Sequence, residues 1–379
     1  MNRRSFLQYA NLAGLAAALP SSTVAQQKAA AKAKTATIPK TPAETLLLKD
    51  YRPRSIYKVP VTHIERARYP IIDIHSHPYP KSDAEITTWI KNMDAVNVEK
   101  TLVLTMATGR EFDAIKAKYS KHPDRFEVWC GLDFTAYDQP SFPGPAVKEL
   151  IRCHDAGAKG IGEIHDKGMG LRSGKSATHN LHPDDPRVDA IWEKAAELRM
   201  PVSLHVADPI WMYQPMDKHN DGLMNAVEWR LDNQPNIVDL PGMVDILERT
   251  AARHRNTTFI ACHFANCDYD LSRLGEAFDR NTNLYADISA RYAETAPIPR
   301  FAAAFYAKYA DRVVYGTDMG FDTKMYQITF RVLESSDEHF YEIEQFNYHW
   351  PLYGLGLPDA VLKRVYHDNA TKILAARTS

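Results

Sequence analysis

From Ile71 to Leu333 short apolar runs and amphipathic stretches take turns eight times. The runs at 71–75, 100–105, 126–132, 158–164, 201–206, 257–262, 283–289 and 312–316 read as strands, and helical spacing fills 84–96, 110–121, 144–156, 185–199, 241–254, 268–280, 296–310 and 322–333. Continuous apolar strands joined by helices must be covered on both faces, which an α/β architecture provides. The expectation is an α/β chain folded as a (β/α)8 TIM barrel, with its chemistry at the C-terminal ends of the strands. A doubly wound open sheet is the runner-up, and no glycine-rich phosphate turn supports it. The 379 residues suit one such barrel, and 45% hydrophobic with 25% charged residues is ordinary soluble composition.

The strand ends carry the chemistry. Asp73-Ile74-His75-Ser76-His77 closes the first run, and histidines two apart on a strand aim at one spot, as a metal requires. Strand four ends Gly160-Ile161-Gly162-Glu163, strand five Ser203-Leu204-His205, strand six Ala261-Cys262-His263 and strand eight Tyr315-Gly316-Thr317-Asp318. Each run stops on one ionisable group where a barrel keeps its active site.

With these residues the chain resembles the amidohydrolase superfamily in its family-2 branch, over about residues 70 to 376. The match includes the closing Asp368-Asn369-Ala370-Thr371-Lys372-Ile373-Leu374. The resemblance implies that His75, His77 and Asp318 are metal ligands and that His205 and His263 either bind metal or contact substrate. Glu163 after Gly-Ile-Gly is similar to the bridging ligand of TatD-like deoxyribonucleases and phosphotriesterase-like relatives, so the set serves one ion or two. Zinc is the first expectation and manganese the second, because carboxylates suit harder ions. Asp318 is the expected proton acceptor from a metal-bound water; His263 either stabilises an oxyanion or completes a second site with His205 and Glu163.

Arg291, past strand seven, is a candidate carboxylate clamp. The long stretch after His205, without evident secondary structure, offers Trp211 and Tyr213 for stacking on a ring. His165, Asp166 and Lys167 lie within reach of the site, and the insert around Tyr341 to Trp350 is expected near the mouth. The cysteines Cys130, Cys153, Cys262 and Cys267 match no zinc spacing and read as buried free thiols.

At the N-terminus, Arg3-Arg4 before Phe6-Leu7 and a mild Ala/Leu/Gly run resemble a twin-arginine export signal over 1–25. A flexible linker is expected over 26–45 and the barrel domain over 46–379, in a periplasmic or secreted protein without a stable membrane anchor. A formal charge of -1 disfavours nucleic-acid partners. The expected partner is a small-molecule substrate, and homo-oligomers are compatible with such barrels.

These features lead to a metal-dependent hydrolase of a C–O or C–N bond, a lactone, ester or amide, in a small carboxylate-bearing or sugar-derived molecule. The alternative is a family-2 decarboxylase resembling aminocarboxymuconate semialdehyde decarboxylase. A TatD-like nuclease and a non-catalytic metal-binding protein rank below it.

Overall fold

The computed structural model describes residues 40–344 and 348–376. The expected export signal and most of the expected linker lie outside them. The chain divides into two units, Met1–Leu46 and Leu47–Ser379. In the first, residues at the end of the expected linker form the short helix Pro42–Thr45. It starts where Thr41 and Glu44 cap one another, the Thr41 amide donating to Glu44 Oε2 at 2.6 Å.

In the second unit eight parallel barrel strands alternate with helices: Ile71–Ser76, Val98–Leu104, Phe126–Trp129, Ile161–Asp166, Val202–Val206, Phe259–Ala261, Leu284–Asp287 and Val313–Val314. Strands one to three pair in order, as do four to eight. A parallel bridge between Cys130 and Ile161 joins strand three to four, and the Ile74 amide donates to the Tyr315 carbonyl, joining one to eight. Gly316 permits that last approach, since a Cβ there would sit 2.8 Å from the Cβ of His75. The fold is the expected TIM barrel.

The barrel interior holds Ile72, Ile74, Leu102, Leu104, Trp129, Ile260, Tyr285 and Val314, with Ala370 and Ile373 of the C-terminal helix packed at its closed end. A larger core fills the layer between strands and helices. Helix Asp83–Val96 buries Ile86, Trp89, Met93 and Val96, one stripe at helical spacing, behind a Ser82 cap that accepts from the Glu85 amide at 3.3 Å. Each such large side chain contributes about 1.5–3 kcal/mol through burial.

Two segments add to the sequence reading. After strand four a hairpin, Arg172–Ser173 with Ser176–Ala177, pairs antiparallel to the barrel edge with His165 opposite Arg172. The stretch after His205 is ordered, with a 3-10 turn Ile210–Met212 and the helix Leu223–Trp229, correcting the expectation of a structureless loop. Gly222 enables this: a Cβ there would lie 2.1 Å from the Trp211 ring. The four cysteines are free and buried, and no helix among the described residues is long and apolar enough to cross a membrane.

Candidate metal centre

Strand one shifts register with strand two between Asp73 and Ser76. Asp73 turns into the helix layer, where Thr317 Oγ1 donates to it at 2.7 Å, while His75 and His77 lie at the mouth with ring centroids 5.4 Å apart. A bulge re-aims side chains in this way. Strand ends around the mouth are similarly bent: Met106, Ala207, His263, Ala290 and Asp318 all hold φ between 50° and 60°. His263, Phe264, Ala265 and Asn266 form a left-handed turn with φ of 58°, 55°, 53° and 55°. Such residues cost roughly 1–2 kcal/mol each, so the turn needs external support. Asp287 Oδ1 accepts the His263 amide at 2.9 Å, and Asn266 Nδ2 donates to the Val206 carbonyl at 2.9 Å.

Three histidines have their Nδ1 protons fixed by acceptors. His77 Nδ1–H donates to the Leu104 carbonyl at 2.8 Å, His263 Nδ1–H to the Ser289 carbonyl at 2.8 Å, and His75 Nδ1–H to Asp287 Oδ2 at 2.9 Å. Each Nε2 is therefore a bare lone pair when the ring is neutral. All three point at carboxylates: His77 Nε2 lies 3.0 Å from Asp318 Oδ1 and 3.4 Å from Glu163 Oε2, His75 Nε2 3.6 Å from Glu163, and His263 Nε2 3.3 Å from Glu163 Oε1. His75 Nε2 is buried without a hydrogen-bond partner among the described residues.

Lone pairs facing lone pairs require positive charge between them. Burial alone would push the His77 imidazole down, yet hydrogen bonds to Asp318 and Glu163, and their charges, raise it to about 10. His75 is likewise raised by Asp287, Cys262 and Glu163 against its burial. Protons on both would put two imidazoliums 5.4 Å apart, whereas one divalent cation leaves both rings neutral. A divalent metal fits this donor set. His75, His77 and Asp318 present ligand atoms within 4.8 Å of one another, and so do Glu163, His205 and His263.

Glu163 is 3% exposed and stands between the two groups. Oε2 faces His75, His77 and His165, the last at 2.9 Å; Oε1 faces His263 and His205, the latter at 2.7 Å. Burial opposes its ionisation, but the charges of His165, His75 and His205 hold it well below the usual carboxylate range. His205 turns its Nε2 to Asp208 Oδ1 at 3.3 Å, and Lys167 pairs with Asp208 at 2.9 Å. Asp318, with 22% of its side chain exposed, is the carboxylate of the set that reaches solvent.

A model of the amidohydrolase family (Amidohydro_2) matches residues 63–375. The chain belongs to this family. The amidohydrolase fold is also that of solved structures with low identity. An uncharacterised TIM-barrel protein from Bordetella bronchiseptica is 14% identical, with a TM-score of 0.52 over 82% of this chain and 100% of that one. A dihydroxybenzoic acid decarboxylase from Polaromonas sp. JS666, with bound manganese and 2-nitroresorcinol, is 16% identical, with a TM-score of 0.50 over 81% and 97%. No curated protein matches the chain in sequence.

This amidohydrolase thus brings His75, His77, Glu163, His205, His263 and Asp318 together. Other candidates fall elsewhere. Arg291 is 8% exposed; its guanidinium donates to Asn266 Oδ1 at 2.7 and 3.0 Å and to the Ala290 carbonyl at 2.8 Å, with Glu294 3.7 Å away. Trp211 is buried beside Trp350 at 5.8 Å, and the Tyr213 hydroxyl accepts the Asp208 amide at 3.3 Å. Asp166 faces away, accepting from His182 at 2.6 Å and the Gly168 amide at 2.9 Å. The late insert does reach the mouth, where the Tyr348 hydroxyl donates to Glu294 Oε1 at 2.5 Å. Sequence reasoning assigned no role to Asp287, Ser289 and Asp208; Asp287 was detectable as the ionisable end of Leu284-Tyr285-Ala286.

A cavity of about 520 Å³ opens beside the centre, lined by His165, Lys167, Met169, Arg172, Asp208 and Trp229 among others. A concavity of about 480 Å³ at Arg253–Thr257 precedes strand six and so lies at the barrel's opposite end.

Proposed function

We propose that the chain is a metal-dependent hydrolase acting on a C–O or C–N bond, such as a lactone, ester or amide, in a small carboxylate-bearing or sugar-derived substrate. The observation that carries this reading is the convergence of three bare Nε2 atoms on Glu163 and Asp318, each imidazole held by an acceptor behind it. His75, His77 and Asp318 would hold one ion, and Glu163, His205 and His263 a second; zinc is the first candidate and manganese the next. A bound divalent metal lowers the pKa of its water toward neutrality and polarises a substrate carbonyl.

The chain's own groups supply the rest. Asp318 faces solvent while Tyr79 donates to its Oδ1 at 3.2 Å, so its carboxylate takes up a water proton at the open side and returns it to the leaving group. The proton of His263 is committed to the Ser289 carbonyl, which favours a cation-holding role over oxyanion donation. Glu163 directs one oxygen to each histidine group, the arrangement that supports a TatD-like bridging role. Export through the Arg3-Arg4 segment belongs to the same reading, since a twin-arginine signal would carry the chain across the membrane already folded, which suits a protein that takes up its metal in the cytoplasm.

A second reading, release of carbon dioxide from a bound acid, gains support from the cations of the adjoining cavity. Metal content separates the two. Elemental analysis of protein purified without added metal is expected to give two ions per chain, falling to one in Glu163→Ala, with turnover of lactones or esters. One ion in both proteins removes the bridge and directs the search to decarboxylation.

A further inference from the structure

We propose that Asp208 is a positioning residue for His205: it holds the ring proton on Nε2, so that His205 faces the centre with Nδ1. The other three histidines of the centre, His75, His77 and His263, commit the Nδ1 proton to an acceptor behind them and present Nε2. His205 is turned the other way round. Its Nδ1 lies 2.7 Å from Glu163 Oε1 and its Nε2 3.3 Å from Asp208 Oδ1.

A neutral imidazole carries one proton, and the surroundings of the two acceptors decide which nitrogen keeps it. Glu163 is shared by His75, His77, His165 and His263, and stands where a cation between the rings would draw on it. The ion-pair partners of Asp208 among the described residues are His205 and Lys167. Its Oδ1 therefore remains an acceptor when positive charge occupies the Glu163 side, and the proton belongs on Nε2. The Nδ1 lone pair is then free on the side of Glu163 and His263, whose ring centroid lies 4.6 Å from that of His205.

The backbone is bent to put Asp208 there. After strand five the chain turns at Ala207, whose φ of 60° is unfavourable for a residue with a Cβ. The turn is fastened on several sides. The Ala207 amide donates to the Asp166 carbonyl at 2.8 Å, Asn266 Nδ2 donates to the Val206 and Ala207 carbonyls at 2.9 and 3.3 Å, and the Asp208 amide donates to the Tyr213 hydroxyl at 3.3 Å. The carboxylate three residues beyond His205 is thereby folded back onto the far nitrogen of its ring. Lys167 fixes the carboxylate itself, with Nζ 3.0 Å from Oδ1 and 2.9 Å from Oδ2. Held on both oxygens, Asp208 stays behind the ligand ring and joins none of the converging groups of ligand atoms among the described residues.

The inference deepens the proposed function and rests on its placing of an ion between Glu163, His205 and His263. The test uses the zinc-loaded full chain with isotope-labelled histidine, read by two-bond proton–nitrogen NMR spectra, with the His205 signals assigned from a His205→Gln sample. Zinc affinity is measured by competition with a fluorescent chelator, and ions per chain by elemental analysis. His205 is expected to show a protonated Nε2 and a zinc-bound Nδ1, the reverse of His75, His77 and His263. Asp208→Ala removes the acceptor; it should abolish that pattern and weaken one zinc ion by about 10–100-fold while the other stays within about threefold. Lys167 is 30% exposed, so the loss of its partner leaves no cation buried and the fold is expected to stand. Asp208→Asn supplies the rescue. Its oxygen is drawn to the Oδ1 position, where His205 and Lys167 both donate, rather than to the Oδ2 position, where Lys167 alone does. The asparagine variant should therefore keep the His205 pattern and a zinc affinity within about threefold of the wild type. An Nδ1 proton on His205 in the zinc-loaded wild type, an Asp208→Ala protein with unchanged zinc affinity, or an Asp208→Asn protein as impaired as Asp208→Ala overturns the proposal. A wild type holding a single zinc contradicts the two-ion reading instead, and the His205 proton position, compared across the wild type and both variants, still decides the role of Asp208.

Discussion

Replacing Asp287 by asparagine isolates the support behind the metal centre. Asp287 is fully buried and accepts four bonds: Oδ1 takes the His263 amide at 2.9 Å, the Ser289 amide at 3.0 Å and the Ser289 hydroxyl, and Oδ2 takes His75 Nδ1–H at 2.9 Å. Asparagine has one acceptor oxygen. Two backbone amides hold that oxygen on the Oδ1 side, so the new NH2 group meets His75 Nδ1. Two donors cannot face each other, and the imidazole must move its proton to Nε2, the atom that points at Glu163 and Asp318. The ligand nitrogen is then blocked. Loss of such an outer partner costs about 10–100-fold in metal affinity, or ~1.4–2.8 kcal/mol, and a forced tautomer puts Asp287→Asn at the upper end. Overall stability should change little, because the variant keeps the shape and relieves the desolvation of a buried charge. Asp287→Ala, in contrast, leaves two buried amides unpaired at ~1–3 kcal/mol each. The assay is competition for zinc against a fluorescent chelator near neutral pH, with thermal melts alongside. A Kd for Asp287→Asn within about threefold of the wild type, on a correctly folded protein, would refute the tautomer argument.

Three further outcomes are expected. Asp318→Asn should lower kcat by about 10²–10⁴-fold on any lactone or ester that the wild type turns over; unchanged kcat would remove Asp318 as the proton carrier. Glu294 is raised to about 8 by burial, against the opposing pull of Arg291, from an ordinary 4.5. The folded state keeps a proton that the unfolded state releases, so this contribution is full below about pH 4.5 and declines as pH rises to about 8. Denaturant melts should show wild-type stability dropping relative to Glu294→Gln by up to ~1.4 kcal/mol per pH unit across that window, and a constant difference would contradict it. Changing Arg3 and Arg4 together to lysine should leave the full-length precursor in the cytoplasm, as read by fractionation and blotting; unimpaired export would exclude the twin-arginine route.

How much the sequence discloses depends on whether a residue acts through its own strand or through a distant one. The six centre residues were legible because a parallel barrel turns a local pattern, an apolar run ending on an ionisable group, into a shared location. Strand seven shows how narrow that legibility is. Its expected span, 283–289, overruns the observed end at Asp287 by two residues, so that the strand's ionisable end is Asp287 and Arg291 lies four residues beyond it. One residue carries the charge behind His75; the other is enclosed by Asn266, Glu294 and Asp268. The burial of Trp211 is hidden from the sequence for a different reason, since the rings that cover it, Tyr348 and Trp350, lie far along the chain. The hairpin with Arg172 has strands of two residues, too short for any period to register. The turn at His263 is the limiting case: of its four left-handed residues the outer two, His263 and Asn266, are of types enriched at positive φ while Phe264 and Ala265 are not, and the turn persists because Asp287 and Val206 hold its two ends. A strained turn whose middle residues give no sequence signal, fastened by the same carboxylate that sets the His75 tautomer, ties the position of His263 and the protonation of His75 to one side chain. Substitution at Asp287 should therefore disturb both ligand groups together, although Asp287 belongs to neither of them.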